Sequence, residues 1–438
     1  CCCVQALGKI MASVEPVSGG KGQRRAFVIG AGIAGLAAAT QLAARGMAVT
    51  LYEAAGQAGG RCRSYYDPAM DQIIDNGNHL VLSGNGAVAR YLERIGARNA
   101  LTGPRRAIFP FIDLKTDARW TLRLNGGPLP WWITSRMRRV PDTKPSDYIA
   151  YGKLMFASRR ATVAQTVPVK GALWDRLMRP FLLAALNTEP ESGSAQLAGQ
   201  VMRETLARGG RACRPRIATP TLGAAFIDPA LAFLEKKGAN VELGKRLRTL
   251  VLGNRGVLAL EFSDATVPLN DRDMVVLAVP PWVAKELVPD LIVPTEFCAI
   301  VNAHFRMPAP KGTPPIMGVI GGTVEWIFAF EDRISVTVSG ADAIVDRDRE
   351  DLARLLWDEV CRALRITAEL PPWQVVKEKR ATFAATPEQD MKRPPAKTQW
   401  RNLMLAGDWT DTGLPATLEG AVRSGEAAAA LVLRRSTL

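Results

Sequence analysis

Histidine is nearly missing from this chain of 438 residues: there are two, His79 and His304. Seven cysteines are present, but no Cys-x-x-Cys pair. Two distant imidazoles without a thiol pair exclude a His-rich or ribbon-type metal centre. Cys1, Cys2 and Cys3 stand together, whereas Cys62, Cys213, Cys298 and Cys361 are scattered singly. That pattern fits free thiols in a reducing, cytoplasmic compartment rather than a disulfide framework. Proline and glycine, 29 and 38 residues, are too few for general low-complexity disorder. The length suits two or three domains and buries a core without staples. A disulfide miniprotein, a fibre and a wholly disordered tail are thereby excluded.

Acidic residues are also in deficit, 42 against 56 basic ones, for a net charge of +14. The excess is concentrated: between Arg98 and Arg179 there are 16 Lys or Arg and 5 Asp or Glu. A local basic bias points to an anionic partner, a membrane surface or nucleic acid. A solvated basic face is the plain alternative. No aromatic-basic reader module accompanies the charge, so no nucleic-acid partner is expected.

No long apolar run is left uninterrupted. Lys21, Arg24 and Arg25 precede 19 uncharged residues, Ala26 to Ala44, in the outline of a signal peptide or membrane span. Gly30, Gly32 and Gly35 break that outline at fixed spacing, and the next apolar run ends on Glu53. Residues 1–23 are expected to be a mobile leader.

What stands there instead is strand, glycine turn, helix, strand, acid. Phe27-Val28-Ile29 leads into Gly30-Ala31-Gly32-Ile33-Ala34-Gly35, a helix-forming run reaches Arg45 with Gly46 as its stop, and Ala48 to Tyr52 is again strand-like. The first glycine makes the tight turn, the second lets a pyrophosphate approach the backbone, and the third lets helix and strand pack. The helix N-terminus offers free N–H groups and a positive dipole end. Glu53 is placed for the hydroxyls of an unphosphorylated ribose, as in FAD or NAD. Gly59-Gly60-Arg61 follows, with close backbone approach and a charge partner for a pyrophosphate. Near the other end, Leu403 to Asp408 reads as a strand closing on Gly-Asp, and Pro415 to Gly425 opens a helix. Gly238 to Gly244 and Leu247 to Leu252 read as a strand pair, and Met274 to Val279 as a buried strand closed by a Pro-Pro turn.

With its second Gly-Gly-Arg after the dinucleotide unit, the chain resembles the flavin amine oxidase and phytoene desaturase superfamily. Three stretches, Asp75-Asn76-Gly77-Asn78-His79, Leu186 to Pro190 and Glu378 to Pro387, narrow the likeness. With Ala406 to Thr410 and Gly413 to Gly420, they are similar to the squalene-associated FAD-dependent desaturases, the hydroxysqualene dehydroxylases of bacterial hopanoid synthesis. The likeness covers residues 25–435. It departs at Asn78, where glutamine is expected, so no side-chain role is assigned there.

This resemblance implies an α/β fold: a Rossmann-like FAD-binding domain of the glutathione-reductase type, amine-oxidase-like, with a discontinuous α+β substrate-binding domain. The FAD-binding domain is expected at 24–95, 215–280 and 396–438, and the substrate-binding domain at 96–214 and 281–395. It further implies non-covalent FAD contacted by Gly30, Gly32, Gly35, Glu53, Gly59, Gly60, Arg61, Leu247, Asp408, Thr417 and Leu418. NAD(P)H is the expected electron donor and a C30 isoprenoid the expected substrate. Replacing an allylic hydroxyl by hydride needs a proton source, and Asp75 and His79 are the candidates: a carboxyl with a raised pKa, or an imidazole titrating near neutrality. The alternative is a hydrogen-bonded Asp75-Asn76-Gly77 turn, with His79 satisfying a backbone group. His304 is expected to be structural, and Glu419 to complement the dipole of its own helix. Trp131 and Trp132, with Arg136, Arg138 and Arg139, suit the headgroup zone of an anionic membrane, so peripheral attachment is expected. Other readings are a carotenoid-type desaturase or amine oxidase running oxidatively, and an escort-type protein binding prenyl lipid without flavin. The intact glycines, Glu53 and Arg61 speak against the last.

Overall fold

The computed structural model describes residues 24–435; the leader expected over 1–23 lies outside the described residues. Its organising element is a parallel sheet of five strands, in the order Asn240–Glu242, Ala48–Tyr52, Arg25–Ile29, Met274–Leu277, Leu403–Leu405. Three distant stretches of chain therefore meet in one sheet. The strands are short and apolar because both faces are covered. Ala26 and Val28 point to one core, with the helices Ile33–Ala44 and Leu418–Arg435. Phe27 and Ile29 point to the other, where Leu247, Leu250, Leu260 and Phe262 of a three-stranded antiparallel sheet close over them.

The helix Ile33–Ala44 is built from alanine and leucine and ends as expected: Arg45 caps it and Gly46 turns away at φ +79°. Two other expectations are corrected. Gly238–Gly244 and Leu247–Leu252 do not pair with each other. Gly244, at φ +70°, swings the chain out, so Asn240–Glu242 joins the parallel sheet while Leu247–Leu252 pairs with Val257–Phe262. Pro280-Pro281 is less a turn than a helix start, with Pro281 as the first residue of Pro281–Leu287, where its missing N–H costs nothing.

A second, mixed sheet has seven strands, in the order Trp373–Phe383, Phe297–Phe305, Ile334–Val338, Trp326–Ala329, Ile316–Ile320, Ile108–Asp113, Arg119–Arg123. One face packs on the helix Arg349–Leu364 through Leu352, Leu356, Trp357 and Val360. The other carries Phe111, Trp120 and Leu122 toward the helical region that contains Trp132, Tyr151 and Trp174. Asn78 stitches this sheet to the cofactor side: its amide donates to the Val336 carbonyl and to Thr337 Oγ1, each at 3.2 Å. No described helix is long and apolar enough to cross a membrane.

Candidate active site

Each glycine of the first turn meets a different demand. Gly30 sits at φ +105°, and a Cβ there would stand 2.5 Å from the Ala278 carbonyl oxygen. A Cβ on Gly35 would lie 1.8 Å from the Gly30 oxygen. A Cβ on Gly32 would meet nothing within 4 Å. Gly30 and Gly35 are thus required by packing, whereas Gly32 faces open space at the start of the helix Ile33–Ala44. That helix has no side-chain cap and no acid in its first turn, so its N-terminal N–H groups are available to an anion. The second glycine motif is held against the first. Gly59 donates its N–H to the Ala31 carbonyl at 2.8 Å, and Gly60, at φ +56°, lies against Gly32. Glu53 closes the other side, its carboxylate accepting the N–H of Ala31 at 2.7 Å and of Ala55 at 2.8 Å. Open backbone, free helix donors and an acid suit a dinucleotide's pyrophosphate and ribose.

Arg61 and Asp408, more than 340 residues apart, form an ion pair at 2.7 Å, and Arg61 also donates to the Ala381 carbonyl. The loop bearing Asp408 is held from below. Gly407 donates to Ser424 Oγ at 2.8 Å, and Trp409 Nε1 to the Val279 carbonyl at 2.9 Å. Arg393, fully buried and paired with Asp390 at 2.9 Å, donates to the carbonyls of Asp408 and Thr410. No motif singles out Arg393, since its partners are backbone carbonyls of the Asp408 loop and the nearby Asp390. Thr417 Oγ1 accepts the Gly420 N–H at 3.1 Å, capping the start of Leu418–Arg435. Leu247 is buried at the head of its strand, paired in register with Phe262. Glu419 stands in the first turn of its own helix, as expected, and also accepts the N–H groups of Ala87 and Val88, in the first turn of Gly86–Arg94, at 3.0 Å each.

Asp75 and His79 line one small cavity of about 10 Å³ with Leu222, Phe328 and Phe330. That is room for a water-sized group. Both hydrogen bonds to the Asp75 carboxyl fall on Oδ1, from Ser64 Oγ at 2.5 Å and the Leu222 N–H at 2.9 Å. Oδ2 has only Arg333, at 3.8 Å. Burial raises the Asp75 pKa above the usual carboxylate range, against the pull of Ser64, Leu222 and Arg333. His79 departs from the neutral titration expected of it: burial, and then the charge of Arg61, lower its pKa to about 4. It is a neutral imidazole at pH 7, with Nε2 4.0 Å from Cys62 Sγ. His304 is fully buried beneath, between Ser335 Oγ at 2.7 Å and the Asp75 carbonyl at 3.0 Å.

The expected membrane residues divide. Trp131 is 68% exposed, and Arg136 and Arg138 are exposed, but Trp132 is buried edge-on against Tyr148 at 5.2 Å. The Asn125 side chain accepts the backbone N–H of Trp132 at 3.1 Å. Arg139 is half-buried and donates to the Ile133 carbonyl.

The sequence pattern of the Flavin containing amine oxidoreductase family matches residues 33–433. The chain is 54% identical over 407 residues to the hydroxysqualene dehydroxylase of Rhodopseudomonas palustris, covering 93% of this chain and 97% of that one. It is 47% identical over 409 residues to the hydroxysqualene dehydroxylase of Zymomonas mobilis, covering 93% and 99%. Among solved structures, it is similar in fold to a putrescine oxidase (TM-score 0.65, 17% identity, 94% of this chain and 99% of that one). It is likewise similar to the cyclohexylamine oxidase of Brevibacterium oxydans (TM-score 0.68, 16% identity, 94% and 99%). With near-complete coverage and a glycine cradle that fits a dinucleotide, the chain belongs to the flavin containing amine oxidoreductases and, among them, to the hydroxysqualene dehydroxylase family of FAD-dependent oxidoreductases.

Proposed function

We propose that this enzyme removes the allylic hydroxyl of hydroxysqualene and puts hydride in its place, giving squalene and water. The observation that carries the reading is the end-to-end likeness to chains of that name. The C–O bond breaks, a C–H bond forms, and the hydroxyl leaves with one added proton. The flavin, when bound, supplies the hydride, and NAD(P)H is the proposed source of its electrons.

The chain's own residues supply the rest. The turn of Gly30, Gly32 and Gly35, with Gly59 and Gly60, would cradle the pyrophosphate, and Glu53 would take the ribose. Arg61 and Asp408 would hold the far side, and Leu247 and the start of the last helix, at Thr417 and Leu418, would complete the contacts to the bound flavin nucleotide. A positive helix end there favours electron-rich forms of a ring. Segments 24–95, 215–280 and 396–435 act as the FAD-binding unit and the remainder of the described chain as the substrate-binding unit. Asp75 is the proposed proton source through Oδ2, the oxygen free of hydrogen bonds. His79, neutral, is the proposed hydrogen-bonding neighbour of the departing hydroxyl. Because hydroxysqualene partitions into bilayers, we propose peripheral contact with an anionic membrane through Trp131, Arg136 and Arg138.

The test is anaerobic turnover. Holoprotein with NAD(P)H or a chemical reductant should convert hydroxysqualene to squalene, and without reductant it should not. Unchanged hydroxysqualene in the presence of reduced holoprotein sinks the reading. Amine oxidation with peroxide release would favour the oxidative alternative.

A further inference from the structure

Six arginines converge on one cleft away from the glycine cradle. Arg105 and Arg106 precede the strand Ile108–Asp113, and Arg123 ends its neighbour Arg119–Arg123. Arg138 comes from the loop after Trp131–Thr134, and Arg211 and Arg214 lie ahead of the strand Pro215–Ala218. The cleft measures about 980 Å³ and no Asp or Glu lines it. None of the six guanidinium groups has an ion-pair partner among the described residues. Like charges gathered without a counter-charge repel, and an anion from outside relieves them. The repulsion is felt nearby: burial, and then the charge of Arg214, lower the pKa of Arg216.

The rim of the cleft is of another kind. Met137, one of its lining residues, is 89% exposed, and Leu129 and Trp131 of the same loop are 62% and 68% exposed. The Arg123 N–H donates to the Arg138 carbonyl at 3.2 Å, fixing this loop to the arginine-bearing strand. A soluble phosphate compound needs the arginines but has no use for bare apolar side chains beside them. A bilayer uses both: phosphate oxygens take guanidinium forks, and Trp, Leu and Met enter the boundary with the acyl chains.

We infer that this cleft seats the phosphate group of an anionic phospholipid, docking the enzyme on a bilayer with Trp131 and Met137 inserted beside it. The inference rests on the membrane contact proposed above and goes beyond it. Arg105, Arg106, Arg123, Arg211 and Arg214 become the lipid-recognising residues, and the phosphate becomes what they recognise.

Co-sedimentation of the flavin-loaded protein tests it, with vesicles of phosphatidylcholine alone and of phosphatidylcholine with an equal part of phosphatidylglycerol. The expected result is binding to the anionic vesicles only, falling steeply with salt. A variant with Arg105, Arg106, Arg211 and Arg214 all changed to Gln should bind at least about tenfold more weakly. It should keep its flavin, its melting temperature and its turnover of detergent-dispersed substrate. Trp131→Ala reports on the membrane contact separately. If the wild type binds anionic vesicles and the four-arginine variant binds them equally well, the cleft assignment is overturned and the membrane contact stands. If the wild type binds no vesicle, both fall. If inorganic phosphate raises the melting temperature through these arginines while vesicles do not bind, the cleft is a soluble-phosphate site and the lipid assignment is overturned.

Discussion

Gly425 lies against Ala34 so closely that a Cβ on it would stand 2.2 Å from the Ala34 carbonyl oxygen. The last helix and the first are thereby locked together. Gly425→Ala should force the helices apart and destabilise the apoprotein by about 1–3 kcal/mol, the usual cost of overpacking. Thermal melting reads the loss, and flavin content per protein should fall with it. An unchanged melting temperature would show that the two helices are free to separate.

Gly32→Ala and Gly35→Ala should divide the same turn into two functions. Gly32 has ordinary backbone angles, at φ −72°, and nothing within 4 Å of a Cβ, so alanine there should leave the melting temperature of apoprotein nearly unchanged. It would, however, occupy the space a pyrophosphate needs, and flavin affinity should drop at least about tenfold. Alanine at Gly35 meets a carbonyl at 1.8 Å and should destabilise the apoprotein itself. Titration of each apoprotein with FAD, beside its melting curve, separates the two effects.

The cradle was legible in the sequence because its chemistry is local. Gly30, Gly32 and Gly35 act within six residues, and the flanking strands announce themselves as short apolar runs. The strand before Asp408 and the helix after Thr417 were legible from pattern, but the roles of the two residues only by resemblance, since what they face is set by a sheet assembled from three stretches of chain. Arg393, and the second helix that Glu419 caps, were missed because the partners are carbonyls and N–H groups of other segments, which no spacing encodes. The same holds for Trp132. It stands beside Trp131 in the sequence, yet its ring is buried edge-on against Tyr148. The arginine cleft joins residues 105–138 to residues 211 and 214, and only the net basic bias of its first half could be read in advance.

Glu325 offers a pH test of stability remote from the cradle. Burial raises its pKa to about 7, against hydrogen bonds from Ser339. A carboxyl with a folded-state pKa above its unfolded value binds more protons when folded. Its contribution is therefore fully present below about pH 4.5 and is lost as pH rises through about 7. Glu325→Gln removes the titration. Relative to the variant, wild-type protein should lose on the order of 1–3 kcal/mol between pH 5 and pH 8. Denaturant melts across that window measure it, and parallel curves for the two proteins would show Glu325 to be well solvated.

Asp75 and His79 give the sharpest test of the proton source. Ser64 and Leu222 both donate to Oδ1 of Asp75, so an asparagine can present the same acceptor while losing the proton on the other oxygen. Asp75→Asn should therefore fold and bind flavin, while kcat falls by about 10²–10⁴, the usual worth of a general acid. In the wild type, kcat should decline as pH rises through the raised Asp75 pKa, because the acid form is the working one. His79 should contribute no limb near pH 6.5, since burial holds its pKa at about 4 and the imidazole is already neutral there. His79→Gln, which keeps an amide donor, should change KM more than the shape of the pH profile. A wild-type limb near pH 6.5 that vanishes in His79→Gln, with Asp75→Asn fully active, would move the proton to the imidazole and return Asp75 to the role of a turn anchor.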